Sequence, residues 1–228
     1  MPDFVRLDSI PWARLEGPDG TSDGVPAAIR SLWSTDEGER AAAVGELQEK
    51  LWHQGTVYEV TAPAVPFIAE AALGNVVGRD DRIWLILLLV WIADGTSRWA
   101  SAVHDAVKEW LPAFHERLDA EADPSLQIAL VELAAQFPEE AETSRPRVSR
   151  LLESEADGRR RIVLEVALAA LGADVDLDDL LERLPEDFYG QKEIADLRDG
   201  FEHDGDQLAL YREVLQDISG AVITFDRE

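Results

Sequence analysis

Leu51-Trp52-His53-Gln54-Gly55-Thr56-Val57-Tyr58, followed by Thr61-Ala62-Pro63-Ala64-Val65-Pro66-Phe67-Ile68, lies between two helical patterns and decides how the chain is read. Upstream, Ala43, Leu47 and Leu51 recur at i, i+4 and i+8 with Val44 beside them, the apolar stripe of a helix that begins near Glu37. Gly55 can take the left-handed conformation that ends such a helix. Pro63 suits the first turn of the next helix, Ala62 to Leu73, because the N–H that proline lacks would have no acceptor there. The stretch predicts helix, tight turn, helix, with a polar plug in the turn.

Reading outward, Gly74-Asn75 and Gly78 close the second helix, and Asp80 or Asp81 is placed to cap the next. That helix contains Ile83 to Ala93 (IWLILLLVWIA), eleven residues without a charge. A bilayer needs roughly 20, so the run predicts a helix buried on nearly every side. Ser97 to Ala122 is helical and split by Pro112. Asp123-Pro124-Ser125 opens a helix to Phe137, Pro146 opens Arg147 to Glu155, and Asp157-Gly158 leads into Arg159 to Leu171. Asp176 or Asp178 caps a short helix through Leu184, stopped by Pro185, and a last helix spans Gln207 to Ile218. Val222 to Phe225 is a docked tail. Residues 1–38 are punctuated by Gly17-Pro18-Asp19-Gly20 and Ser22-Asp23-Gly24 and predict an irregular arm with one short helix, Ala27 to Trp33, anchored by Trp12 and Leu15.

Ile128 to Phe137 superimposes on Ile162 to Leu171 at an offset of 34, and Ile83 to Ile92 matches the first of these 45 residues earlier. Helix pairs at such periods are the signature of stacked repeats. The expected fold is all-α, a right-handed α-solenoid of HEAT-like helical hairpins with an irregular N-terminal arm. Its parts are the arm at 1–38, the repeats at 39–187 and a C-terminal capping segment at 188–228.

The ordered series Ile10-Pro11-Trp12, Leu15, Gly17-Pro18, Asp23, Val25-Pro26, Ile29-Arg30, Leu32, Leu47, Leu51, then His53 to Tyr58 and Thr61 to Phe67, resembles bacterial HEAT-repeat proteins. The specific block is HQGTVY…TAPAVPF; the resemblance covers roughly residues 10–75, and beyond that only repeat spacing is shared. Members are usually longer, which implies fewer repeats here. The resemblance implies protein binding without a catalytic motif, and some relatives look like immunity proteins that neutralise secreted toxins.

Composition bounds the partner. With 46 acidic against 21 basic residues the formal net charge is −25, which disfavours a phosphate backbone, since that needs clustered Lys and Arg. The acidity either forms a functional face for a basic protein partner or serves solubility alone. No cysteine is present, which excludes disulfides, thiolate catalysis and cysteine-ligated zinc. No basic-then-apolar leader opens the chain and no segment is long enough to span a membrane, so the expected location is cytoplasmic, with no membrane partner. The sequence specifies no oligomeric state.

The candidate site is the plug. His53 and Gln54, with Thr56, Tyr58 and Thr61, either converge on a ligand or satisfy the orphan carbonyls and amides of an inter-helix turn; the turn reading is the preferred one. Trp33 and Trp52 flank the first hairpin and are the aromatic residues chosen as interface anchors, given the weight of tryptophan in binding hot spots. Trp84 and Trp91, at i and i+7, read as core. His104 and His115 lack carboxylate ligands at a metal-binding spacing and read as solvated or half-buried. Asp174 to Asp179 fails as a calcium loop, because its sixth position is Asp179 and its twelfth Pro185. Glu202-His203-Asp204-Gly205-Asp206 reads as an acidic loop. No nucleophile elbow or phosphate loop occurs, so no catalytic residue, cofactor or metal is expected. The alternatives are a HEAT-like DNA-repair glycosylase, which the acidity opposes, and a small-molecule pocket near His53.

Overall fold

Asp3 accepts the Arg6 N–H at 3.0 Å and starts a helix that the turn-rich composition of the arm conceals, α1 (Phe4–Ser9). The computed structural model describes residues 3–74, 77–183 and 207–224, and it is all-α. After α1 come a 3-10 turn at Trp12–Arg14, α2 (Val25–Ser31), α3 (Glu37–Leu51), β1 (Trp52–His53), β2 (Thr56–Val57), α4 (Thr61–Leu73), α5 (Arg79–Ala93), α6 (Ala100–Lys108), α7 (Leu111–Ala120), α8 (Pro124–Ala135), a second 3-10 turn at Pro138–Glu140, α9 (Ala141–Ser154), α10 (Gly158–Ala170), α11 (Leu177–Glu182) and α12 (Gln207–Ser219). The predicted stop at Pro185, the Glu202–Asp206 loop, Asn75 and Phe225 lie outside the described residues. Among the described residues no helix is long and apolar enough to cross a membrane.

Two compact units divide the chain, Met1–Phe114 and His115–Glu228. In the first, α4 packs on α5 and α6, while α3 packs on α2 and α5. The predicted stripe Ala43, Val44, Leu47 and Leu51 is buried. The arm is held by Trp12, whose indole N–H donates to the Leu7 carbonyl at 2.8 Å and whose ring meets Phe67 at 6.5 Å. Trp12 is thus an anchor, as its sequence position suggested, whereas Leu15 is only half-buried. Helices α3 and α5 run parallel. Arg40 Nε meets Asp81 Oδ2 at 2.9 Å near their N-termini, and the Trp52 and Trp91 rings meet at 5.7 Å near their C-termini. Asp80 and Asp81 therefore do not cap α5. Gly78 holds the cap position, and the two acids lie in the first turn, where the helix dipole favours them.

In the second unit α10 packs on α8, α9 and α12, and α12 also packs on α8. One turn is built twice at the offset of 34. Asp123 Oδ1 accepts the N–H groups of Ser125 and Leu126, and Asp157 Oδ1 those of Arg159 and Arg160, all between 2.9 and 3.0 Å. Two residues earlier, Glu121 and Glu155 accept the N–H of these same caps at 3.0 and 2.7 Å. Four residues after each cap, Gln127 donates to the Glu121 carbonyl at 2.7 Å, and Arg161 to those of Leu152 and Glu155 at 2.8 and 3.0 Å. The first unit repeats the last feature at the 45-residue offset, with Arg82 donating to the Gly74 carbonyl at 2.9 Å. These donors satisfy carbonyls at the end of the preceding helix, which lack intrahelical partners. Removing a cap of this kind costs about 1 kcal/mol. Asp123→Ala should lose that much in denaturant unfolding followed by far-UV circular dichroism; an unchanged midpoint would show the cap to be idle.

Pro146 does not open a helix. It is the sixth residue of α9, as Pro66 is of α4, so each proline deletes a single bond in the second turn and both helices continue through. The start of α9 is fixed instead by the short 3-10 turn at Pro138–Glu140 and by burial of Ala141, Ser144 and Val148 on one side. Asp176 accepts the Asp179 N–H at 3.1 Å and so is the cap, of the two candidates Asp176 and Asp178 that the sequence offers for the short helix. The tail docks as expected: Ile223 is buried, and the Thr224 N–H donates to Ser125 Oγ at 3.0 Å.

Candidate functional site

The stretch read as a polar plug is a two-residue β-hairpin. Trp52 pairs with Val57 and His53 with Thr56, and the turn residues Gln54 and Gly55 both have positive φ, 49° and 81°. That is what a primed turn needs to match the right-handed twist of the strands. Thr96 holds the hairpin from the side. Its N–H donates to the Gly55 carbonyl at 2.7 Å and its carbonyl accepts the Val57 N–H at 3.2 Å. Gly95 makes this approach possible, because a Cβ there would lie 2.3 Å from Val57 Cγ1.

The plug chemistry belongs to Thr61 alone. It is fully buried, its hydroxyl donates to the Leu51 carbonyl at 2.7 Å, and the same oxygen accepts the Tyr58 N–H at 3.0 Å. The side chains of His53 and Gln54 are exposed and make no hydrogen bond among the described residues, so neither closes the turn. Tyr58 and Thr56 are half-buried.

Trp52 joins an aromatic cluster. Its ring lies 5.7 Å from Trp91 at 32°, and Trp91 lies 6.3 Å from Trp84 at 55°. Trp84 is 40% exposed, while Trp91 and Trp52 are half-buried. The assignment of Trp84 and Trp91 to the core is therefore corrected. From Ile83 onward the rest of α5 is buried, with Ile83, Leu85 to Val90 and Ile92 pointing inward, and the two indoles occupy its outward stripe. Asp80 and Asp94, four residues before Trp84 and three after Trp91, mark that stripe as the solvent side in the sequence itself. Trp33, the other anchor chosen from sequence, is half-buried and packs edge-on against Phe4 at 6.0 Å, apart from this cluster.

The second unit contains polar groups of a different kind. Glu132, on α8, is 1% exposed and accepts a hydrogen bond from the Ser219 hydroxyl of α12. Burial pushes its carboxyl up to about 8, and the bond from Ser219 opposes this only in part. His115 is buried rather than solvated or half-buried, with Nε2 3.0 Å from Ser144 Oγ. Burial, and then the Arg147 guanidinium, lower its imidazole below the usual histidine range, with Asp119 and Glu140 opposing. His104 lies on a different helix, half-buried, with Nδ1 3.2 Å from the Ala93 carbonyl. A cavity of about 160 Å³ lies among Gln127, Ile128, Leu151, Glu155 and Leu164. Another, of about 280 Å³, is edged by Asp174, Asp176 and Asp179, where Arg183 pairs with Glu165 at 2.5 Å and with Asp179 at 2.9 Å. No group of three or more His, Asp or Glu side chains among the described residues is placed to hold a metal ion.

Comparison of the chain with protein-family models, curated proteins and solved structures finds no match.

Proposed function

We propose that the chain is a non-catalytic protein-binding module, a HEAT-like α-solenoid whose partner is a basic protein. The observation that carries the reading is the Trp52–Trp91–Trp84 cluster at the surface of the first unit, with His53 and Gln54 on the hairpin beside it. Indoles partly exposed together form the kind of anchor that dominates protein interfaces. The turn repeated at 34 residues, with its donors to the preceding helix end, supports the solenoid. The charge of −25 supports the basic partner, since complementary charge speeds encounter and suppresses wrong partners. An immunity protein that occludes a basic toxin is the sharpest form of this reading.

Capture from native lysate tests it. Tagged protein should retain a basic protein at low salt and release it at moderate salt, and duplex DNA should give no gel shift at low salt. Shifted DNA with no retained protein would sink the reading and favour the repair-enzyme alternative.

A further inference from the structure

From Leu126 to Ala135 every side chain that α8 buries is apolar except one, Glu132. Helix α12 lies over it. α12 packs on both α8 and α10, buries Val214, Leu215 and Ile218, and sets its Ser219 hydroxyl on the Glu132 carboxyl. One turn further along the same side of α8 stands Gln136, 3% exposed. Its Nε2 donates to the Glu132 carbonyl at 3.3 Å, while its Oε1 is buried and accepts no hydrogen bond among the described residues. This side of α8 thus bears two polar side chains whose needs are only partly met while it is covered. An orphaned buried acceptor costs free energy that water restores when the cover lifts.

No cation compensates Glu132 among the described residues. Helix α8 holds no other titratable side chain. On α10, Arg160 pairs with Glu155, Arg161 donates to the Leu152 and Glu155 carbonyls, and Glu165 pairs with Arg183. On α9, Arg147 and Arg150 both pair with Asp119. On α12 itself Glu213 and Asp217 are exposed, Arg212 is half-buried and Tyr211 is buried. Burial and the Ser219 hydroxyl are accordingly what act on the Glu132 carboxyl, which stands at about 8.

We propose that α12 is a latch: it lifts from the α8/α10 face as one piece while the rest of the second unit stays folded, and the Glu132–Ser219 contact sets how often. Proteins open in such local units at free energies below that of global unfolding. Closed, the latch keeps Glu132 neutral; open, water reaches the carboxyl and it ionises. Opening therefore releases a proton, so the open population rises with pH and stops rising above the closed-state value. The device governs access to the surface of α8 and α10 on which α12 rests.

Hydrogen–deuterium exchange of the full chain, read by mass spectrometry from about pH 5.5 to about pH 9 and corrected for intrinsic rates, tests the latch. Gln207–Ser219 should be at least about tenfold less protected than Ala141–Ser154 of α9. Its protection should fall about tenfold per pH unit up to about 8 and then level off. Glu132→Gln should flatten that profile. Ser219→Ala removes the bond that opposes the upward shift, so it should move the levelling to higher pH. Equal protection of α12 and α9 at every pH would overturn the latch, since α12 would then open only with the whole unit. A flat wild-type profile, or a Glu132→Gln profile that keeps the slope, would overturn the role of Glu132.

Discussion

Glu132→Gln should abolish most of the fall in stability expected of the second unit between about pH 5 and pH 8.5. Glu132 is fully enclosed, and its folded-state value of about 8 stands above the ordinary 4.5. Between those values the folded state holds a proton that the unfolded state has released, so stability declines as pH rises and levels off above the folded value. Each unit of difference corresponds to about 1.4 kcal/mol, which sets the decline across this interval on the order of 4 kcal/mol. The amide cannot ionise, and its oxygen can still accept from Ser219, so the variant's unfolding free energy should stay flat where the wild type's falls. All seven tryptophans lie in residues 1–114. Far-UV circular dichroism during urea unfolding, rather than tryptophan emission, is therefore the signal to follow. Parallel pH profiles for the two proteins would show that Glu132 is ionised and solvated in the folded state.

Gly95→Ala should destabilise the first unit by about 1–3 kcal/mol, the usual cost of forcing a methyl group into a filled site. The added Cβ would stand 2.3 Å from Val57 Cγ1 and 3.3 Å from the Ile92 carbonyl oxygen. Val57 is 1% exposed and has no room to retreat, so the hairpin must move away from Thr96. Trp52 moves with it and loses its contact with Trp91. Here tryptophan emission is the right probe, and a shifted spectrum together with a lower urea midpoint is the expected pair of results. An unchanged midpoint would mean that the hairpin is not held against Gly95 and Thr96.

The helices were legible wherever a polar face accompanied the apolar one. The α3 stripe, the Asp123, Asp157 and Asp176 caps and the 34-residue repeat all follow from spacing and capping chemistry. The hairpin was hidden because Gln at the first position of a primed turn is not among its favoured residues, Asn, Asp and Gly. α1 was hidden by its six-residue length, too short to show a period. The side of α5 that faces solvent was hidden because an uncharged run such as Ile83 to Ala93 has no internal contrast; only Asp80 and Asp94 at its ends report it. The setting of Glu132 could not be read locally, since its partner Ser219 lies 87 residues away. Of the site residues chosen from sequence, Trp52, His53 and Gln54 belong to one hairpin, where Trp52 meets Trp91 and His53 and Gln54 are exposed; the Tyr58 N–H is bound by Thr61, and Trp33 packs on the arm. Trp84 and Trp91 complete the aromatic surface from a helix that reads as core.

Whether the α5 indoles anchor a protein partner is measured by the calorimetric affinity of a lysate-captured partner for the wild type and for the Trp84→Ala, Trp91→Ala double variant. A loss of at least about thirtyfold is expected, corresponding to roughly 2 kcal/mol, with the circular dichroism spectrum of the variant unchanged. Full affinity in a folded variant would contradict it, and would move the interface away from α5.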